Sequence, residues 1–189
     1  MNPKKLIGQK CYLSPISQND AEMFHLWIND IDIAMHTGIF TKLLTLKDEQ
    51  EAINYLSDTS KGNYVLSIRN KKNDNLIGNC GLHKVDLINR NAEFGIFIGN
   101  KEEHNKGFGK EATNLLLDFG FNALNLHNIW LRCYTYNKKA YSIYKKMGFH
   151  EIGKMREVKI IGNKKYDVIY MDLLHNEFKN SYINKKIPK

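Results

Sequence analysis

A chain of 189 residues with 42% hydrophobic content is long enough for one compact core and short for two. It carries no apolar run near the roughly 18 residues that span a bilayer, and no hydrophobic block follows Lys4 and Lys5, so a single cytoplasmic α/β domain over residues 1–176 is expected, with no membrane partner. The formal charge of +8 favours anionic partners, among them nucleic acid, a phosphorylated cofactor or the ribosome, and Lys179, Lys185, Lys186 and Lys189 place part of it in a basic tail, 177–189.

The three cysteines, Cys11, Cys80 and Cys133, are far apart and form no C-x-x-C pair. The seven histidines include no H-E-x-x-H. Reduced, packed thiols and no metal site are expected.

In chain order, a short strand over Cys11–Pro15 is followed by Ser17-Gln18-Asn19-Asp20, a capping-box pattern that opens a helix with Met23, Phe24, Trp27 and Ile28 on one side. The segment Asp30–Leu44 reads as irregular. Thr45-Leu46-Lys47-Asp48 caps a second helix to about Leu56. The period then changes to two, and Tyr64–Arg69, Leu76–Val85 and Ala92–Ile98 read as a three-stranded meander. Gly107 opens a helix whose apolar positions Ala112, Leu115, Leu116, Phe119 and Ala123 share one face. A strand over Ile129–Tyr136 follows, then a helix capped by Asn137 and ended at Gly148. Two closing strands, about Ile152–Ile160 and Tyr166–Leu173, flank the turn Gly162-Asn163.

The segment His104-Asn105-Lys106-Gly107-Phe108-Gly109-Lys110 puts two glycines where a strand has ended and a helix begins. Bare amides at a helix start, with the helix dipole behind them, suit a pyrophosphate. Lys106 and Lys110 would add charge at the rim. Gly107-Phe108-Gly109-Lys110-Glu111-Ala112 also fits the dinucleotide pattern G-x-G-x-x-A, but the next strand ends in Tyr134-Thr135-Tyr136-Asn137, without the carboxylate a ribose needs. A Walker loop is excluded because Glu111 stands where it requires a hydroxyl.

Two spaced motifs give a family resemblance. The chain resembles the GNAT superfamily of N-acetyltransferases, and within it the ribosomal-protein-alanine and serine N-acetyltransferase branch. The family loop [QR]-x-x-G-x-[GA] is matched at Gly107 and Gly109, with His104 at its first position, and N-x-x-A-x-x-x-Y-x-x-x-G-F is complete at Asn137, Ala140, Tyr144, Gly148 and Phe149. The resemblance implies an α/β (α+β) fold with a mixed, mostly antiparallel central sheet of about seven strands, flanked by about four helices and splayed between the fourth and fifth strands.

It further implies acetyl-CoA as co-substrate, bound by Phe97 and Ile98 of the fourth strand, by the loop from His104 through Asn105, Lys106, Gly107, Phe108 and Gly109 to Lys110, and by Asn137, Lys139 and Tyr144. Lys138 and Lys145 are further candidates for the adenosine 3′-phosphate. Tyr144 is the implied acid for the departing thiolate, Glu93 the candidate base, and a backbone amide near Ile98 the oxyanion donor.

The resemblance implies a primary amine as acceptor, either a small molecule or a protein N-terminus, that of a ribosomal protein among them. Topology points to Trp27, Met35, His36 and Phe40 as lining, with Asp30 and Asp32 to attract the amine. A monomer or homodimer is expected. The alternative is a noncatalytic basic module that binds RNA or ribosomes through Tyr64, Tyr134, Tyr136 and Tyr141.

Overall fold

The computed structural model describes residues 2–179, 182–183 and 186. Eight strands form one sheet: β1 (Leu6–Ile7), β2 (Cys11–Pro15), β3 (Tyr64–Asn70), β4 (Leu76–Asp86), β5 (Asn91–Ile98), β6 (Asn128–Tyr134), β7 (His150–Ile161) and β8 (Lys164–Leu174). Their spatial order is β1-β2-β3-β4-β5-β6-β8-β7, and every neighbouring pair is antiparallel except β5 and β6. The sheet therefore has one strand more than about seven, because Leu6–Ile7 folds back on Leu13 and Tyr12 as a short edge strand.

Among the described residues five helices cover the sheet: α1 (Ala21–Ile28), α2 (Ile31–Ala34), α3 (Leu46–Ser57), α4 (Phe108–Asn122) and α5 (Lys138–Lys146). The short α2 lies inside the segment read as irregular. It is started by Asp30, whose carboxylate accepts from the Asp32 amide at 3.0 Å. The capping box at Thr45 and Asp48 forms, with the Asp48 carboxylate 2.7 Å from the Thr45 amide and the Thr45 hydroxyl 3.2 Å from the Asp48 amide. The matching pattern at Ser17 does not close. Ser17 accepts from Asn19 instead, and Asp20 turns inward, buried, to bind the Ser67 hydroxyl at 2.6 Å and the Arg69 guanidinium of β3. A polar pin thus fixes α1 to the sheet, where a surface cap was expected.

The core has two layers. On one face α4 and α5 pack over Leu82, Phe94, Ile129, Leu131 and Leu173; on the other, α1 to α3 gather Phe24, Trp27, Ile33 and Ile53 against Val65 and Phe97. Leu116, fully buried in α4, is removed from water to an extent worth roughly 1.5–3 kcal/mol. α4 is buried beyond the single face its spacing suggests, since Leu117, Asp118 and Phe121 are buried too. The cause is the end of the chain: Phe178 packs 5.1 Å from Phe121, and the Ile183 amide donates to the Asp118 carboxylate at 2.7 Å. The segment given above to the basic tail thus begins as a packed cover on α4, while Lys185 and Lys189 lie outside the described residues. Among the described residues no helix is long and apolar enough to cross a membrane.

Candidate active site

Among the described residues β5 and β6 are the only parallel pair, and the split in the sheet comes from them. β5 and β6 are in register at Asn91 with Asn128, Ala92 with Ile129 and Glu93 with Trp130, and nowhere beyond, although β5 runs on to Ile98 and β6 to Tyr134. Strand alternation sends the amide and carbonyl of Phe94, Ile96 and Ile98 toward the opening and those of Gly95 and Phe97 toward β4. The Phe97 carbonyl faces Gly78 so closely that a Cβ there would collide with it. Phe97 is therefore corrected as a backbone partner for a donor in the gap. It pairs with Asn79, and its ring packs 6.3 Å from Trp27. The Ile98 edge does face the gap.

At the far end of β5 the chain makes a 3-10 turn over Lys101–Glu103, passes Asn105 at φ 64° and Gly107 at φ 90°, and enters α4. Both positions are left-handed, the second one glycine's natural conformation. Gly107 is the N-cap and offers no side chain, so the amides of Phe108, Gly109 and Lys110 are left without a side-chain cap. A Cβ added to Gly109 would rest in ordinary contact with Ile98 at 3.7 Å, so this glycine packs the helix start against the β5 edge. This cradle fits a pyrophosphate.

His104 turns inward, with Nε2 3.0 Å from the Ile98 carbonyl. Because a carbonyl only accepts, Nε2 is the protonated nitrogen there. Lys106 pairs with Glu103 at 3.2 Å, and Asn105 and Lys110 are exposed. A cleft of about 450 Å³ runs on from Lys110 and Asn114 to Lys146, Met147 and Lys179.

Tyr144 comes from α5, which Asn137 caps by accepting from the Ala140 amide at 3.1 Å and Gly148 ends at φ 100°. The Asn137 side chain is thus spent on the helix start, and Lys138, Lys139 and Lys145 are exposed around it. The Tyr144 ring is buried edge-on against Phe94 (6.3 Å) and Phe149 (5.8 Å). Phe94 is the first β5 residue past the last paired position, so the phenol sits where the strands part. Among the described residues its hydroxyl has no hydrogen-bond partner. Burial, with Cys133 nearby, pushes its pKa well above the ordinary phenol value, which keeps the proton in place.

The opposite face carries Glu93, Arg132 and Lys84. Glu93 Oε1 meets the Arg132 guanidinium at 2.6 Å and Oε2 meets Lys84 Nζ at 2.9 Å. Burial alone would raise this carboxyl, but the bonds and charges of Lys84 and Arg132 outweigh it and hold the pKa below the ordinary value. Trp27, expected as acceptor lining, is instead buried between Phe24 and Phe97 as core. Asp30 and Asp32 both hold Lys101, at 2.7 and 3.1 Å. Met35 contributes its carbonyl, which accepts from the Tyr136 hydroxyl at 2.6 Å.

That bond ties the α2 loop to an aromatic wall. Tyr134 and Tyr136 stack at 5.3 Å, Tyr166 meets Tyr136 edge-on at 5.0 Å, and His36 lies 6.3 Å away. The β7–β8 hairpin bulges where Arg156, Glu157 and Val158 stand opposite Asp167, with Glu157 at φ 52°. The bulge delivers Lys159, whose ammonium sits 4.3 Å from the Phe40 ring centre and 5.7 Å from that of Tyr134. Arg132, Tyr166 and Lys159 were not singled out from the sequence. Period-two alternation placed Arg132 on the Glu93 side, but nothing local announced the bulge. Tyr64 packs on Phe119, and the Tyr141 hydroxyl binds Glu151 at 3.1 Å, so these two do not join Tyr134 and Tyr136 in one stacking surface. Among the described residues no three His, Cys, Asp or Glu side chains gather as a metal site.

A parallel pair that parts beside an uncapped helix start, with a neutral phenol at the fork, is the arrangement of an acyltransferase that draws a thioester donor through its sheet. The family described as acetyltransferase (GNAT) domain matches residues 10–150, and the chain belongs to it. It is an acetyl-CoA dependent N-acetyltransferase.

An uncharacterized N-acetyltransferase, p20 of Bacillus licheniformis, is 29% identical over 92% of this chain and 97% of its own length. The spermidine N(1)-acetyltransferase of Vibrio cholerae is 35% identical over 70% of this chain and 76% of its own. A crystal structure of the Vibrio cholerae spermidine N-acetyltransferase in complex with CoA and spermine superposes with a TM-score of 0.80 at 28% identity, covering 90% of this chain and 98% of that one. The putative ribosomal N-acetyltransferase YdaF of Bacillus subtilis is 32% identical over 54% of this chain and 56% of its own.

Proposed function

We propose that this enzyme acetylates a small primary alkylamine of the polyamine kind, held as its ammonium on the aromatic wall of His36, Phe40, Tyr134, Tyr136 and Tyr166. The observation that carries the reading is Lys159: an alkylammonium already rests on Phe40 and Tyr134, a cation–π arrangement worth about 0.5–2 kcal/mol. The names of the Vibrio cholerae relatives support the same acceptor class. The net charge of +8 weighs against a polycation at long range, but this aromatic surface acts on the ammonium locally.

Acetyl-CoA supplies the acyl group as a thioester, with its phosphates at the amides of Phe108 to Lys110 and its arm along the Ile96 and Ile98 edge. The ammonium to be acetylated first gives one proton to solvent, and its neutral nitrogen then attacks the carbonyl carbon while the Ile98 amide steadies the oxygen and the C–S bond breaks as C–N forms. Tyr144 gives its proton to the departing sulfur and regains one as the new amide nitrogen sheds its second proton to solvent. Glu93, ionised and clamped by two cations, suits an electrostatic role that fixes Arg132 beside the acceptor better than it suits proton abstraction.

A second reading, a protein N-terminus as acceptor, is favoured by the net charge of +8, which repels polycations, and by the likeness to YdaF. Thiol release from acetyl-CoA decides. Spermidine should exceed N-terminal peptides in kcat/KM by about ten-fold or more, the size of an ammonium–aromatic contact; the reverse order would transfer the assignment to the peptide.

A further inference from the structure

The family pattern places glutamine or arginine at the first position of the phosphate loop, and His104 stands there bound to the Ile98 carbonyl at 3.0 Å. Of the loop's own lysines, Lys106 is held by Glu103 at 3.2 Å. A further cation at the helix start comes from the other end of the chain. Lys10, in the turn between β1 and β2, reaches across so that its Nζ donates to the Lys106 carbonyl at 2.8 Å and lies 3.4 Å from where a Cβ on Gly107 would be.

The turn is pinned by α4 itself. Glu111, one turn into the helix, accepts from the backbone amide of Gln9 and from that of Lys10 at 2.9 Å, and the Lys71 ammonium holds the Gly8 carbonyl at 3.0 Å. Glu111 thus spends its carboxylate on main chain and positions the Lys10 side chain at the mouth of the cradle. Lys10 Nζ makes a single bond to the loop, which leaves two of its three donors for an incoming oxygen.

We propose that Lys10 binds the pyrophosphate of the CoA donor, supplying from the N-terminal hairpin the cationic contact that the loop's own first side chain does not. The proposal rests on the donor reading above and adds to it one residue outside the family's loop. It also gives the short β1–β2 hairpin a task, because the hairpin carries the charge to the phosphates.

The test is CoA affinity by calorimetry for the wild type, Lys10→Ala and Lys10→Arg, repeated with dephospho-CoA and with pantetheine. Lys10→Ala should weaken CoA and dephospho-CoA alike by about ten-fold or more, as expected for loss of a charged hydrogen bond. Lys10→Arg should retain most of the affinity, and pantetheine, which lacks the pyrophosphate, should bind all three proteins equally. The unliganded melting temperature should move little, since Glu111 still grips the backbone of the turn and the one bond lost, to the Lys106 carbonyl, is exposed.

Equal CoA affinity in Lys10→Ala and wild type would overturn the proposal and leave the donor reading intact. A loss for dephospho-CoA much smaller than for CoA would reassign Lys10 to the 3′-phosphate. An equal loss for pantetheine would mean that Lys10 only shapes the loop. Failure of the wild type itself to bind CoA would remove the donor reading and the proposal together.

Discussion

The two faces of the sheet solve different problems. The α4/α5 face is built mainly from backbone: bare amides at a helix start, a strand edge facing a gap, and one phenol. The α1–α3 face is built from side chains sent by distant segments, with Lys84, Glu93 and Arg132 on the strands, His36 and Phe40 on the α2 loop, and Lys159 on a bulged hairpin. A donor common to a family needs a fixed cradle, and main chain provides one. An acceptor that differs between members needs a surface open to change, and loops supply that.

This contrast can be broken most severely at the Asp20 pin. Asp20→Ala leaves the Arg69 charge buried without its partner and should lower stability by about 3–5 kcal/mol, measured by denaturant unfolding. CoA affinity well below the melting temperature should be unchanged, because the pin belongs to the acceptor face. Loss of CoA binding in a folded variant would show that the two faces are not separable.

On the other side, Tyr144→Phe should reduce kcat by about 100-fold or more, the contribution of a positioned acid, while the thermal shift produced by CoA persists. Unchanged turnover would take the acid role away from Tyr144.

Glu93→Gln frees Arg132 and Lys84 and should lower kcat/KM for the amine about ten-fold through the misplaced cations, without abolishing the rise of rate with pH. A rate that no longer rises with pH would restore Glu93 as the base.

Phe40→Ala should raise KM for spermidine by about three- to ten-fold with little change in KM for acetyl-CoA. An equal change in both would place Phe40 on a shared surface.

The smallest effect is alkaline. Burial, then the neighbouring Tyr134, Cys133 and Tyr166, pushes the Tyr136 phenol from 10.0 up to about 12. Its folded value is the raised one, so its share of stability is whole below 10.0 and fades as pH climbs toward about 12. Tyr136→Phe should flatten that decline in the denaturation midpoint.

The difference between faces also governs what the sequence disclosed. Gly107, Gly109, Asn137, Tyr144 and Gly148 could be read because each obeys a local rule: a left-handed turn, a helix cap or a motif at fixed spacing. The three-stranded meander and the β7–β8 hairpin were legible from alternation and turn residues for the same reason.

Trp27 was misplaced because an amphipathic helix shows which side is apolar but not whether that side meets core or ligand. Asp20 was read as a cap because the pattern cannot report an arginine on a strand 49 residues away. Lys10, Arg132 and Lys159 matter through neighbours remote in sequence, and no spacing rule registers them.

The fork between β5 and β6 has a mechanical consequence. Among the described residues the β5–β6 ladder that joins the N-terminal half-sheet to the C-terminal one has three residue pairs, backed by the Glu93–Arg132 ion pair. α4 packs most on β1, β2, β4 and β5 and reaches β6 through the Ile129 side chain beside Gly120, whereas α5 packs most on β6. The phosphate cradle therefore rides mainly on one half, and Tyr144 stands on the other with its ring against Phe94 across the fork. A donor lying across the opening would staple them, slowing amide hydrogen exchange at Ile96 and Ile98 and stiffening the junction through which both halves unfold.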